Sequence, residues 1–249
     1  MFEDRKDAGR QVAKALEAYR NQDVLVLAIP RGGVEVGYEV ANHLNADFSL
    51  LVARKLPYPH QPEAGFGAVV EDGSRVILEE ASRWVAEEMI EQIIEEQREE
   101  IERRKDVLRG GEPLPTIEDR TVILVDDGIA MGCTMRASIK LCKHYKAARI
   151  VVAVPVASER VTEEIEELVD EIVVLEQPPL FRAVAQVYEN WYDVPDEEVV
   201  SIMTRWEREH EKGESTNENE NSQHADHHRH ASDHGVGRRR GGQGGQKGQ

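Results

Sequence analysis

The residues of this chain best placed to do chemistry are Asp126 and Asp127. They follow the apolar run Thr121 to Val125 and precede Gly128-Ile129-Ala130-Met131-Gly132-Cys133-Thr134, after which an apolar stripe at Met135, Ile139 and Cys142 predicts a helix. A buried strand, two carboxylates at its C-terminal end, a loop with two glycines and a helix N-terminus form one continuous object. Ligands of open α/β sheets bind at that edge. Glycines let backbone N–H groups turn inward around an anion, the helix start adds its positive dipole end, and the Thr134 hydroxyl adds a donor. That half of the loop suits a phosphate monoester. Adjacent carboxylates suit neighbouring sugar hydroxyls, or a Mg²⁺ ion shared between those hydroxyls and a pyrophosphate.

Such a loop needs a sheet to carry it. Short β-branched runs at 24–29, 48–52, 76–78, 121–125, 150–154 and 172–175 alternate with helical patterns, which predicts an α/β fold with a mainly parallel twisted sheet and helices on both faces. One helix carries Val36, Val40 and Leu44. Another carries Val161, Ile165 and Leu168 behind the capping candidates Ser158 and Thr162. Residues 79–109 read as one long charged amphipathic helix, with a stripe through Val85, Met89, Ile93 or Ile94, Gln97, Ile101 and Leu108, closed by Gly110-Gly111. That stripe is expected to pack on its own sheet, with a homodimer contact as the alternative. The chain divides into a domain over 1–211 and a His/Gly/Gln-rich tail over 212–249 whose composition predicts disorder.

Composition narrows the function classes. The chain has 249 residues and a net charge of −17; the tail carries six bases against five acids, so −18 falls on residues 1–211. A field of that sign opposes general nucleic-acid binding and favours a bound cation wherever phosphate must enter. Five tail histidines could chelate metal, and Arg238-Arg239-Arg240 could touch RNA weakly, but an inert tail is the default. No signal-peptide pattern opens the chain and no apolar stretch is long enough to span a bilayer, so a cytoplasmic protein is expected. The two cysteines, Cys133 and Cys142, fall on opposite sides of a helix and are expected to be reduced thiols. A GxxxxGK[ST] loop is absent, and the first strand is followed by RGGVEVG rather than GxGxxG, which removes nucleotide-triphosphatase and dinucleotide readings.

VILVDDGIAMGCT resembles the signature of type I phosphoribosyltransferases for phosphoribosyl pyrophosphate (PRPP). By that resemblance Asp126 and Asp127 hold the ribose hydroxyls and Mg²⁺, and Ala130 to Thr134 hold the phosphate. Met131 departs from the family, which usually has Thr there. AIPRGGVEVGYEVA is similar to the family's pyrophosphate loop, with Arg31, Gly32 and Gly33 facing the leaving group. VARKLPYPHQPEAGFGAV resembles its mobile catalytic loop, with Arg54 and Lys55 catalytic and 56–67 closing over the ligand. The three segments occur in the family's order, and the resemblance covers about residues 1–205. It implies transfer of ribose phosphate from PRPP to a nitrogenous base, or a non-catalytic PRPP-sensing regulator of the same fold. Ala130 replaces the acid that hypoxanthine-guanine enzymes carry. A hood over 176–205 is the candidate acceptor site, through Glu176, Pro178 and Phe181, with Tyr188 and Trp191 nearby; His60 is a weak candidate base.

Overall fold

A computed structural model describes residues 1–210. In chain order the elements begin with α1 (Arg5–Ala15), β1 (Val24–Ala28), α2 (Gly33–Leu44), β2 (Asp47–Leu50), β3 (Ala53–Tyr58), β4 (Gln61–Val70) and β5 (Arg75–Ile77). They continue with α3 (Glu79–Ser82), α4 (Glu87–Arg109), β6 (Thr121–Val125), α5 (Cys133–His144), β7 (Arg149–Val156), α6 (Glu159–Glu166) and β8 (Glu171–Glu176). A further helix, α7, spans 196–210. Tail readings beyond 210, including the histidines and the arginine run, lie outside the described residues.

Five strands form an all-parallel sheet in the order β2-β1-β6-β7-β8. β1 shows why these residues make such a strand. All five of its side chains are buried, with Val24, Val26 and Ala28 entering one core and Leu25 and Leu27 the other. A strand covered on both faces reads as an unbroken apolar run. Val12 and Ala13 of α1, Leu16 just after it and the predicted stripe Val36, Val40 and Leu44 of α2 cover one face; Met135, Ile139 and Cys142 of α5 and Val161 and Ile165 of α6 cover the other. Ser158 caps α6 as expected, its hydroxyl accepting from the Val161 N–H at 3.3 Å.

Three departures from the sequence expectations concern the segment between β2 and β6. Residues 76–78 do not enter the main sheet. Val76 and Ile77 belong to β5, the edge of a separate antiparallel sheet β3-β4-β5, and Leu78 follows it. The expected closing loop 56–67 is instead the β3–β4 hairpin, with register shifts around Pro57. Burial overrides its Pro and Gly content, because Leu56 and Phe66 are fully enclosed with Ile93, Ile94 and Ile101 of α4. Residue 67 must be glycine where the strands close up, since a Cβ there would lie 2.3 Å from the Val76 carbonyl oxygen.

Finally, the helix expected over 79–109 is broken. α3 stops at Ser82, the Tyr58 hydroxyl donates to the Ala81 carbonyl at 2.7 Å, and α4 restarts after an extended Ala86. The buried part of the stripe is Ile93, Ile94, Ile101 and Leu108, and it packs on the chain's own sheets. Gly110 ends α4 at φ 61°, as its position predicts. Arg109 anchors that end through a buried pair with Glu71 at 2.5 Å and a bond to the Leu50 carbonyl at 2.6 Å.

Candidate active site

β1 and β6 are neighbours, and β2 and β7 flank them on opposite sides, so the strand order reverses between β1 and β6. Both candidate loops leave the sheet at this switch point. The loop after β6 is tied to the next strand by the Ile129 N–H, which donates to the Val156 carbonyl at 2.8 Å. Gly128 must be small: a Cβ would lie 2.6 Å from Val156 and 2.7 Å from Val184. Gly132, at φ 77°, takes the left-handed conformation that starts α5. Together with Asp126, the residues 128–134 and Met135 wall a cavity of about 250 Å³, closed on other sides by Lys55, Gly65 and Gly67 of the hairpin and by Val184.

The two acids face different ways. Asp126 lines the cavity, and its Oδ1 accepts from the Asp127 N–H at 2.8 Å. Asp127 is not a cavity residue; its Oδ2 accepts from Nε of Arg5 at 2.8 Å. Burial raises the pKa of both. Asp126, pushed further by the Asp127 charge, stands well above the ordinary carboxylate range, whereas the Arg5 guanidinium opposes the rise at Asp127.

Arg5 is the site residue that sequence reasoning missed. It is 3% exposed, donates from Nη1 to the Tyr192 carbonyl at 2.9 Å, and lies 4.0 Å over the Trp191 ring. Glu35 of α2 is 3.9 Å away, and burial, then the Glu198 charge, raises its pKa. In sequence Arg5 looks like a surface charge. The available signal is weak: a cation in the first turn of a helix opposes the dipole and so needs another partner.

The pyrophosphate-loop candidate meets the acids through its glycines. A Cβ on residue 32 would lie 1.8 Å from Asp127 Oδ2, and one on residue 33 would lie 2.9 Å from Asp126 Cα. The Pro30–Arg31 peptide is cis. Arg31 itself turns away from the cavity, with Nη1 3.3 Å from Asp196 Oδ1. Strand alternation separates the basic pair. Lys55 faces the cavity, while Arg54 faces α4 and donates from Nε to Gln97 at 3.0 Å. Gln97, the polar member of the predicted stripe, is therefore the partner of Arg54. Burial, then the neighbouring Arg104 charge, lowers the Arg54 pKa.

Glu176, Pro178 and Phe181 do not reach the cavity. Glu176 sits at the end of edge strand β8, 3.6 Å from the N-terminal amino group, and Phe181 packs with Phe2, Val187 and Tyr188. Nor are Tyr188 and Trp191 cavity walls: Tyr188 donates to the Asp127 carbonyl at 2.7 Å and Trp191 covers Arg5. His60 is at the exposed hairpin tip. Cys133 and Cys142 are buried free thiols, and burial raises both pKa values, Cys142 to about 12.

An acid-tipped central strand, a glycine loop at a helix start and a lysine facing them across one cavity agree with the type I phosphoribosyltransferase class. Residues 3–190 match the family model described as "Phosphoribosyl transferase domain", and the chain belongs to that family. Two Mycobacterium tuberculosis proteins, from strains H37Rv and CDC 1551 and each named "Putative phosphoribosyl transferase", are 38% identical over 211 residues, covering 84% of this chain and 48% of theirs. The chain thus spans about half the length of these relatives. The crystal structure of TT1426 from Thermus thermophilus superposes with a TM-score of 0.69 at 36% identity, covering 82% of this chain and 98% of that one. Among the described residues, no helix is long and apolar enough to cross a membrane.

Proposed function

We propose that the protein is a Mg²⁺-dependent phosphoribosyltransferase that moves the ribose phosphate of PRPP to a nitrogenous base and releases pyrophosphate. The observation that carries this reading is the convergence on one cavity of Asp126, the 128–134 loop at the start of α5, and Lys55 from the hairpin. Loop N–H groups and the Thr134 hydroxyl bind the 5-phosphate, Asp126 accepts from a ribose hydroxyl, and Lys55 meets the pyrophosphate. As the anomeric C–O bond breaks, its electron pair leaves with pyrophosphate and positive charge grows on the ribose. Lys55 stabilises the departing charge and the Asp126 carboxylate the growing one. The hairpin limits the access of competing water.

Among the described residues no three His, Cys, Asp or Glu side chains converge, and one of the two acids is engaged by Arg5. A cation at Asp126 would then take most of its oxygens from phosphate, hydroxyl and water. That donor set fits Mg²⁺, which keeps several waters and binds through one or two carboxylates plus substrate phosphates. Bound there, it would neutralise pyrophosphate charge.

The runner-up is a PRPP-sensing regulator without chemistry. It is favoured by the position of Arg31 and of all three acceptor candidates outside the cavity. Pyrophosphate release separates the two readings, measured with Mg²⁺ and PRPP against adenine, guanine, hypoxanthine, xanthine, uracil and orotate. Release that depends on any acceptor supports the transferase. Tight PRPP binding without turnover across the panel replaces it with the regulator.

A further inference from the structure

A pair of adjacent acids at the end of a strand is most simply taken as two equivalent ligands for two ribose hydroxyls. The surroundings of this pair are not equivalent. Asp126 looks into the cavity, and its Oδ1 accepts from a backbone N–H. Asp127 is enclosed. Its Oδ2 meets Arg5 at 2.8 Å and lies where a Cβ of residue 32 would sit, and its carbonyl takes the Tyr188 hydroxyl at 2.7 Å.

Arg5 is in turn over-determined. α1 begins at Arg5, after Asp4 caps the helix by accepting from the Asp7 N–H at 2.7 Å. The preceding residues are stitched to the segment after β8 by Phe2 N–H to Val187 (2.7 Å) and Glu189 N–H to Phe2 (2.9 Å). Trp191 stacks on the guanidinium. A buried arginine held on so many sides can move little, so the carboxylate it grips moves little either. Freed from Arg5, the half-buried carboxylate beside Gly32 would lose its cation, which costs more than it would at an exposed position.

We propose that Arg5 is a positioning residue that splits the acid pair. Asp126 is the open acid that meets the sugar, and Asp127 is a tethered acid that fixes the Asp126 backbone from behind. This rests on the ribose-phosphate reading of the cavity. It assigns the segment after β8 a role as the housing of Arg5, and it makes α1 part of the site although no residue of α1 faces the ligand.

The test uses the full chain and calorimetry with three probes: PRPP with Mg²⁺, ribose 5-phosphate, and inorganic pyrophosphate. Arg5→Gln is expected to weaken PRPP and ribose 5-phosphate by the same factor, about tenfold, the loss associated with one charged hydrogen bond, and to leave pyrophosphate unchanged. Asp127→Asn should do the same. Because Arg5 acts through Asp127, the double variant should bind no worse than either single one. Losses that multiply in the double variant, an equal loss for all three probes, or no loss in Arg5→Gln overturn the proposal. Should Arg5→Gln fail to fold, Arg5→Lys keeps the charge and removes the Nε donor. The same sugar-end loss is then expected at smaller size, and an equal loss for pyrophosphate overturns the idea. Absence of PRPP binding by the unaltered protein would instead overturn the functional reading on which it rests.

Discussion

Asp126 and Asp127 are joined by one peptide bond, and the regions they face contrast at every level. In front of Asp126 lies a cavity walled by the 128–134 loop, Met135, Val184, two glycines of the hairpin and one lysine. Behind Asp127 lies an internally bonded cluster of Arg5, Glu35, Tyr188, Trp191 and Tyr192, in which Arg5 and Glu35 are buried and the Trp191 and Tyr192 rings keep one side exposed. A cavity open to a ligand next to a cluster bonded within itself separates the two tasks of a binding site. The open side takes up groups that a ligand supplies. The bonded side keeps the loop in place without one, which reduces the reorganisation that binding must bring about.

Asp126→Asn breaks this contrast most directly and has the largest expected effect. PRPP affinity should fall at least tenfold, by calorimetry with Mg²⁺. Stability of the ligand-free protein should move the other way. The pKa of Asp126 is raised in the fold, so its contribution to stability is fully present below the unfolded carboxylate value and is lost as pH rises through the higher folded one. Removing the charge should therefore raise Tm at pH 8, by about 2–4 °C for each kcal/mol regained, and the gain should shrink toward pH 4. A variant that binds less and is also less stable at pH 8 would show Asp126 to be a structural acid.

These two sides also differ in how far the sequence reveals them. The Asp126 side is contiguous: strand, acids, glycine loop and helix start occupy residues 121–134, so local rules of periodicity and φ suffice. The parallel sheet is legible for the same reason, through runs such as Val24 to Ala28 that are buried on both faces. The Asp127 side draws on Arg5, Glu35 and residues 188–192, and the one local sign of Arg5, a cation in the first turn of a helix, is shared with Lys6 beside it. The hairpin escapes sequence reading on different grounds. Its strands are held by burial of Leu56 and Phe66 against α4, a tertiary effect that outweighs the poor strand propensity of its Pro and Gly. Taking Arg54 and Lys55 as a basic pair overlooks strand alternation, which sends neighbours to opposite faces.

That alternation sharpens the comparison at an intermediate size. Lys55→Ala should weaken PRPP and free pyrophosphate severalfold with little change in Tm, because its side chain lines the cavity that the ligand fills. Arg54→Ala should do the reverse. It removes the bond to Gln97 from a half-buried interface between β3 and α4 and leaves the cavity wall intact, so Tm falls by several degrees while affinity holds within about twofold. Thermal melts and pyrophosphate titrations of the two variants check this. An affinity loss in Arg54→Ala as large as in Lys55→Ala would mean that the hairpin turns over on binding and presents both cations.

The smallest effect is expected inside the phosphate loop, at Met131. Its side chain is 49% exposed although it belongs to the cavity wall, and its carbonyl accepts from Arg136 Nη1 at 3.0 Å. Arg136 is in turn paired with Glu164 of α6, so the loop backbone is fixed from outside through an atom that no side-chain replacement at 131 removes. Threonine there would leave this brace intact, delete exposed apolar surface and offer a hydroxyl to the phosphate. Met131→Thr should consequently bind ribose 5-phosphate equally well or up to about tenfold tighter, the ceiling being one charged hydrogen bond, with Tm unchanged within a degree or two. Pyrophosphate affinity should not change at all, because the residue serves the other end of the ligand. A marked loss of ribose 5-phosphate binding would show that the backbone at 131, and not the side chain, turns toward the phosphate, and that methionine is kept there because its flexible side chain tolerates that turn.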